Sequence, residues 1–233
     1  KRTMKTPRWT HTQLTVSAIV GVILIVGLVS AAWSLSSVDH LATGKQQQTF
    51  DIHCDFDKFR QIMVRKDATR AIITHGGMRL IDVKFKDLQV DASHDARPLL
   101  NAIRGKSQAE LAAVKEITVN LDDPALEADR IVLRQQADIQ PEMIQVVTRS
   151  KAPAGNLEFY ETTLQAQPQA DITRVELTVT MQVHVKVPRV FAGRADEKVQ
   201  QAADKAIEEQ ARSLEAFVGE FANERLILPD LKR

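Results

Sequence analysis

The first residues whose types and spacing could do chemistry alternate along one short stretch. Asp51, His53 and Asp55 are each two positions apart, so on a β-strand all three would point to the same face. Carboxylates and imidazoles are common ligands of divalent metals. Alternate strand residues lie about 7 Å apart, however, which is too far for three of them to hold one ion without another element. We interpret the stretch as a solvent-facing polar stripe and predict no metal site.

The sequence evidence for a catalytic nucleophile is equally weak. Cys54, the single cysteine, falls on the apolar face opposite this stripe, which favours a small core side chain over a reactive thiolate. His75-Gly76-Gly77 is similar to the oxyanion loop of some esterases, but no Gly-x-Ser-x-Gly motif supplies a nucleophile. Phosphate loops, dinucleotide fingerprints and zinc-type spacings are also missing from the sequence. The sequence therefore identifies no catalytic residue and no cofactor, and it leaves enzymatic activity open.

Two further sets of polar side chains have more than one interpretation. The first lies on strands whose facing the sequence does not settle, and its members could be polar groups inside a cavity: Tyr160, Glu161, Arg134 and Glu176. The second is basic and falls on two early helices: Arg60, Arg65, Lys66 and Arg70. A basic patch could contact anionic lipid headgroups, although a solvated helical surface explains it as well.

Composition and charge narrow the function classes. The chain has 233 residues, of which 44% are hydrophobic and 26% charged, as in an ordinary globular protein. The net charge is +1, and residues 1–11 carry four basic side chains and no acid, so the rest of the chain is mildly acidic. A mildly acidic body offers no electrostatic surface for nucleic acid. We therefore predict no nucleic-acid partner.

A membrane-spanning helix is the strongest single prediction. The apolar run from Leu14 to Leu35 is long enough to cross a hydrocarbon core of about 30 Å. Trp9 and Trp33 bracket it, as interfacial anchors do. A cleavable signal peptide is the alternative, because Val29-Ser30-Ala31 is similar to a cleavage site, but the run exceeds the usual apolar region of about 7–15 residues. We predict an uncleaved signal-anchor over residues 12–36.

The flanking charges predict the topology. Residues 1–11 form a basic flank, and positive flanks stay in the cytoplasm. The large domain would then be exported from the cell (inner) membrane, into the periplasm if the cell has two membranes, with the lipid bilayer as a partner. Residues 37–48 are polar and patternless and predict a linker. The exported domain would cover residues 49–226, followed by a tail at 227–233.

Strands and helices alternate through the exported part. We predict a strand at Thr49–Phe56, a helix capped by Asp57 and ending at Arg65, and a short helix at Ala68–Thr74. Extended stretches follow at Arg79–Asp91, Glu116–Leu121, Arg130–Ile139, Met143–Thr148 and Leu157–Ala166. Two brief helices are predicted among them, near Pro98–Ile103 and at Gln108–Val114.

The last two elements carry the clearest periodicity. Apolar and polar residues alternate from Arg174 to Val187, which predicts a long half-buried strand. Pro188 ends it, and apolar residues then recur every three or four positions from Ala195 to Arg225, which predicts an amphipathic helix. The helix stripe is alanine-rich in its first half, so its backbone either lies close to a sheet or leaves room for something else.

This order of elements resembles the START/polyketide-cyclase-like superfamily, also called SRPBCC, helix-grip or Bet v 1-like. The resemblance rests on the strand and two short helices near the start, and on the long strand that feeds the C-terminal helix through Pro188. It implies an α+β fold in which a curved antiparallel sheet wraps around the last helix. It also implies an apolar cavity that binds lipids or other hydrophobic molecules. We expect the cavity to be lined by Val179, Met181, Val183, Ala202, Ala206, Leu214 and Phe217.

Three functions are compatible with these features. The first is a membrane-tethered module that binds a lipid or other hydrophobic small molecule at the extracytoplasmic face. The second is an accessory or scaffold subunit of a larger membrane complex, docking through its helix and exported domain. The third is a cyclase- or hydrolase-like enzyme. A hollow between the Arg174–Val187 strand and the first half of the last helix would favour binding, and a filled interior would favour the scaffold.

Overall fold

Seven strands and three helices account for most of the described chain. The computed structural model describes residues 36–66, 68–75, 78–96, 101, 108–121 and 126–224. The elements in chain order are β1 (Ser37–Ile52), α1 (Phe56–Arg65), α2 (Ala68–His75), β2 (Met78–Asp91), β3 (Glu110–Leu121), β4 (Arg130–Ile139), β5 (Ile144–Ser150), β6 (Leu157–Gln169), β7 (Ile172–Pro188) and α3 (Ala192–Phe221). A 3-10 turn, Arg189–Phe191, joins β7 to α3.

The strands form one antiparallel sheet. Their order is β1-β7-β6-β5-β4-β3-β2. Strands β2 to β7 therefore form a meander, and the last strand, β7, pairs with the first strand, β1, along the full length of β1. Helices α1 and α2 connect the two edge strands. Strands of this length twist strongly, and the sheet curves around α3. The predicted α+β class, the curved antiparallel sheet and the long C-terminal helix are confirmed.

Helix α3 packs its apolar stripe into the concave face of the sheet. The stripe is buried at Val199, Ala203, Ile207, Ala211, Leu214, Phe217 and Val218. The apolar face of β7 supplies part of the opposing surface, with Val175, Leu177 and Val179 almost fully buried. Each large aliphatic side chain removed from water in this way contributes about 1.5–3 kcal/mol. The mutual burial of helix and sheet therefore contributes strongly to stability.

A glycine sets how closely α3 approaches β1. A Cβ atom at Gly44 would lie 2.7 Å from the carbonyl carbon of Val199 and 3.0 Å from the backbone nitrogen of Gln200. No side chain fits between the two backbones at this point. The side chain of Gln200 reinforces the contact, because its Nε2 donates a 3.0 Å hydrogen bond to the Lys45 carbonyl and its Oε1 accepts one from the Lys45 backbone N–H.

Capping and ion pairs fix the position of α1. Asp55 is the N-cap, and its side chain accepts a 3.1 Å hydrogen bond from the Lys58 backbone N–H. The hydroxyl of Thr173 donates a buried 2.8 Å bond to the Cys54 carbonyl, which ties the entry of α1 to β7. At the other end, Lys66 pairs with Glu224 at 3.2 Å. These contacts hold α1 beside the C-terminal end of α3.

The predicted linker is wrong over its whole length. Residues 37–48 form the first three quarters of β1, whose sixteen residues pair with β7. The inward positions there include Ala42 and Gly44, which are small because α3 lies directly against them. Lys45, Gln46 and Gln47 are exposed. Because its most buried inward positions are small, this part of the strand has no alternation of large apolar side chains for a sequence pattern to detect.

Two other local predictions are corrected. The helix expected at Gln108–Val114 is instead the start of β3, which pairs with β2 and β4; cross-strand packing overrides the helix propensity of its alanines, leucine and glutamate. The cap of α1 is Asp55 rather than Asp57. The helix predicted near Pro98–Ile103 lies outside the described residues apart from Asn101.

The predicted membrane span falls almost entirely outside the described residues, which begin at Ser36. Within the described ranges, no helix has both the length and the hydropathy to cross a bilayer. The signal-anchor therefore stays a prediction.

The close contact at Gly44 gives a stability test. We expect Gly44→Ala to lower the free energy of unfolding by about 1–3 kcal/mol, because the added methyl group forces α3 away from β1. Gly219→Ala is the matched control, since nothing lies within 4 Å of a Cβ at that helical position, and it should stabilise the helix by about 0.5–1 kcal/mol. Denaturant unfolding measures both. An unchanged midpoint for Gly44→Ala would show that the helix does not press on β1.

Candidate functional site

A cavity of about 320 Å³ lies between the concave face of the sheet and the helices. Strands β3 to β6 form its floor. Helices α1 and α2 and the second half of α3 cover it through Met63, Val64, Ala68, Thr69, Ile73, Gln210 and Leu214. The lining is mostly apolar, as in most small-molecule sites.

Two hydrophobic clusters bound this cavity. One packs the first half of α3 against the sheet around Ile117, Leu133 and Val199. The other packs the second half of α3 and helix α1 around Phe59 and Ile144. Tyr160 and Met181 pack against both clusters. The space between β7 and the first half of α3 is thus filled, and the hollow lies further along the helix and across the sheet.

The cavity opens beside the edge strand β2. Three of its lining residues are large, apolar and exposed: Val64 at 45%, Phe85 at 62% and Leu88 at 57%. Val64 belongs to α1, and the other two belong to β2. We call these three residues the mouth. Exposed apolar residues grouped at a cavity entrance are typical of sites that admit apolar ligands or contact apolar surfaces.

A row of polar residues crosses the apolar floor at a single register. Lys115, Gln135, Thr148 and Thr162 are direct cross-strand partners on β3, β4, β5 and β6, and all four line the cavity. We call this row the polar belt. The neighbouring row towards α1 is apolar and consists of Ala113, Ala137, Val146 and Leu164. The belt therefore places hydrogen-bonding groups at one level of an otherwise apolar wall.

Hydrogen bonds join the belt to α2. The ammonium of Lys115 lies 3.3 Å from the Thr69 hydroxyl oxygen, and that hydroxyl donates a 3.0 Å bond to Gln135 Oε1. Gln135 Nε2 in turn donates to the Thr148 hydroxyl oxygen at 3.1 Å. Lys115 also sits 4.8 Å from the centre of the Phe85 ring, a cation–π distance. The network links Lys115, Gln135 and Thr148 of the belt to Thr69 of α2.

Tyr160 and Gln210 form a second polar pair across the cavity. Gln210 Nε2 donates a 3.1 Å hydrogen bond to the Tyr160 hydroxyl oxygen. Burial raises the pKa of Tyr160 to about 12, and the bond from Gln210 offsets part of that rise. The phenol is therefore neutral at ordinary pH and keeps its own hydrogen for another acceptor.

Of the seven residues predicted to line the cavity, the structure places one in its lining and six elsewhere. Leu214 lines it. Val179 and Phe217 are buried in the cluster around Phe59, Val183 is buried in the cluster around Val199, and Met181 packs between the two. Ala206 is partly buried against the first of these clusters. Ala202 is exposed on the outer side of α3, because the helix stripe that meets the sheet runs through Val199 and Ala203 instead.

Three of the other candidate residues make structural contacts or are buried. Asp51 binds Arg174 at 2.9 and 3.2 Å, which lowers the pKa of that carboxyl, and Asp55 caps α1. Cys54 is buried, and burial raises the pKa of its thiol. Among the described residues, no three metal-ligating side chains converge.

The members of the two polar sets that the sequence left open also lie in different environments. Of the four candidates for the cavity, only Tyr160 lines it. Glu161 pairs with Arg149, Glu176 accepts from Gln47, and Arg134 is exposed. The four basic residues of α1 and α2 do not form one open surface, because Arg60 is buried 3.9 Å from Asp57 and Lys66 binds Glu224.

Sequence reasoning missed the polar belt. A signal exists in each strand, where one polar residue interrupts an apolar face, such as Lys115 between Ala113 and Ile117. The helix predicted at Gln108–Val114 hid that alternation. Even with β3 assigned, only the register brings the four interruptions to one level.

Comparisons with known proteins give weak likenesses in structure and none in sequence. No family model matches the chain, and no curated protein matches it. A START superfamily protein from Mycobacterium smegmatis aligns at 13% identity with a TM-score of 0.46, covering 76% of this chain and 98% of that one. The Zhui aromatase/cyclase from a Streptomyces species aligns at 12% identity with a TM-score of 0.44, covering 76% and 93%.

A third structure covers more of this chain. Norcoclaurine synthase from Thalictrum flavum aligns at 9% identity with a TM-score of 0.38, covering 94% of this chain and 97% of that one. All three superpositions are loose. The helix-grip-like arrangement is therefore assigned from the strand order, the register and the position of α3.

The Tyr160 environment can be measured directly, because it is the only tyrosine in the chain. Absorbance titration near 295 nm should give a midpoint near 12 in the folded protein and about 10 in the denatured chain. The denatured chain then loses the phenol proton first, so stability should fall as the pH rises from about 10 to 12. Circular dichroism at each pH confirms folding. A folded-state midpoint near 10 would contradict the desolvated site.

Proposed function

We propose that this protein is a binding module for a lipid or other hydrophobic small molecule, which it holds in the cavity beneath α3. The observation that carries this proposal is the cavity itself, whose apolar floor is crossed by one ordered row of polar groups. A few fixed polar groups in an apolar pocket orient a ligand, while the apolar surface supplies most of the affinity.

A packing defect is the competing explanation for such a space. Protein interiors are close-packed, and voids larger than a water molecule are few. An unfilled cavity destabilises the fold in proportion to its volume. The space here, about 320 Å³, lies within the usual range for ligand pockets, about 300–1,000 Å³. It also reaches the surface at the mouth, which an internal defect need not do.

We further propose that the domain is tethered to the extracytoplasmic face of the membrane by residues 12–36. The charge asymmetry and length of that segment support this topology. Strand β1 begins at Ser37, one residue after the proposed span ends, so the tether is short. A domain held this close to a bilayer could exchange an apolar ligand with it through the mouth.

Filling the cavity should weaken binding. Ala137 lies at the centre of the apolar row beside the belt, so Ala137→Phe should weaken the binding of a neutral fluorescent probe, N-phenyl-1-naphthylamine, by roughly tenfold or more. Gln136→Phe is the control, because Gln136 is the exposed neighbour on the opposite face of β4. Equal probe affinity in both variants and the wild type would place the binding site elsewhere or nowhere.

Protease protection tests the topology. In intact spheroplasts, protease added outside should digest the domain, because positively charged flanks remain cytoplasmic. Disruption of the membrane should not be required for this digestion. Protection of the domain until the cells are lysed would reverse the orientation.

An accessory role in a membrane complex is the second candidate. Edge strand β2 exposes Ile81, Phe85, Leu88 and Val90, and exposed apolar edges are common sites for pairing with other chains. Native mass spectrometry of the detergent-extracted protein separates the two functions. A retained small molecule supports the binding module, whereas a retained protein subunit with an empty cavity supports the accessory role.

A further inference from the structure

We propose that the hydrophobic ligand carries a carbonyl oxygen, as a ketone, ester or amide does, and that Tyr160 and Gln210 hold this oxygen. The inference rests on the proposed binding function and adds the polar group by which the site recognises its ligand. Its basis is the set of hydrogen-bond donors that these side chains leave unused, together with their position in the cavity.

Tyr160 on β6 and Gln210 on α3 both line the cavity. Gln210 is 6% exposed, and its Nε2 donates a 3.1 Å hydrogen bond to the phenol oxygen. That bond leaves the phenol hydrogen and the second N–H of the amide unused. In the opposite amide orientation the phenol would donate to Oε1 of Gln210, and both N–H groups would be left over. In either orientation the pair keeps two donors for another acceptor.

A third donor lies beside the pair. Thr148 on β5 is the cross-strand partner of Thr162, which is two residues from Tyr160, so Thr148 and Tyr160 are diagonal neighbours. The Thr148 oxygen accepts from Gln135, and its own hydrogen has no acceptor among the described residues.

Unused donors are costly in a buried site, because each has given up its hydrogen bonds to water. A purely structural tie between α3 and β6 would need one hydrogen bond and no further donors. The group that satisfies such a set accepts hydrogen bonds and donates none. A carbonyl oxygen does so, since it has two lone pairs and no hydrogen.

The pair lies on the side of the cavity away from the mouth. The mouth belongs to β2 and α1, whereas Tyr160 is on β6, four strands further along the sheet. Four strand spacings of about 4.8 Å amount to about 19 Å. The floor between them is apolar at Ala137 and Val146, beside the polar belt. A ligand that enters by the mouth would therefore place its carbonyl innermost, with its apolar body across β4 and β5.

A matched series of ligands tests the carbonyl. Full-length protein in amphipol is titrated with 2-acetylnaphthalene, 1-(2-naphthyl)ethanol and 2-ethylnaphthalene, which share one skeleton and differ in carrying a carbonyl, a hydroxyl or no oxygen. Each competes with N-phenyl-1-naphthylamine, and the probe affinity of each protein is measured separately. The quantity compared between proteins is the ratio of ketone affinity to hydrocarbon affinity, because differences in ligand hydration then cancel.

Variants assign the preference to the pair. Tyr160→Phe should lower the ketone-to-hydrocarbon ratio by about tenfold, as the loss of a hydrogen bond in a buried site implies, and Gln210→Leu should lower it in the same direction. Thr163→Val is the matched control, because it removes a hydroxyl from the opposite face of the same strand and should retain the wild-type ratio. Circular dichroism reports whether each variant folds. Ratios within about twofold of the wild type in folded Tyr160 and Gln210 variants would overturn the assignment, and an equal or larger loss for the alcohol would overturn the carbonyl.

Tyr160 itself supplies a second measurement, because it is the only tyrosine in the chain. Carbon-13 at its Cζ gives a single resonance that responds to hydrogen bonding of the phenol. The ketone should shift this resonance more than the hydrocarbon does. Equal shifts would contradict the proposed contact even where a variant fails to fold. Failure of the wild type to bind the probe and all three naphthalenes would overturn the proposed function itself, whereas binding without a carbonyl effect would overturn this inference alone.

Discussion

The close contact between α3 and β1 at Gly44 determines how the rest of the domain is arranged. Because no side chain separates the two backbones there, the first half of α3 must lie directly on the sheet. Ala42 and Ala203 are fully buried, and their small size permits the same approach. In the second half of the helix, Ile207, Leu214 and Phe217 reach the sheet with large side chains instead. The helix is thus seated at one end, and the space that remains opens beside its other half.

The cavity persists because hydrophobic clusters fix its two boundaries. Helices α1 and α2 close one side, and both are tied to other elements by polar contacts that the cavity itself does not supply. Asp55 and Thr173 hold the start of α1, while Thr69 binds α2 to the belt. Buried polar groups are costly unless paired. The belt therefore stabilises the structure only as a connected network, and the same network orders the donors that a ligand would meet.

Within the proposed function, the mouth and the tether have complementary roles. Val64, Phe85 and Leu88 offer an apolar entrance, and the short distance between the proposed span and β1 would hold the domain close to the bilayer. A hydrophobic ligand entering there would pass the apolar mouth first and then meet the polar belt. Affinity would come mainly from the apolar lining and selectivity from the polar belt, because apolar contacts scale with area while hydrogen bonds depend on geometry.

The sequence by itself determined the class of fold and the elements with strong periodicity. Strand β4 was predicted with its observed bounds, and β7 and α3 to within a few residues at each end, because their apolar residues recur at the period of one secondary structure. It did not reveal the first part of β1, where Gly44 and Ala42 face a helix backbone that is distant in sequence. It also placed the cavity beside β7 rather than across β3 to β6. The polar belt depends on the register of four strands, and the exposure of Ala202 depends on the rotation of α3. Both are set by long-range packing, so only the tertiary structure decided them.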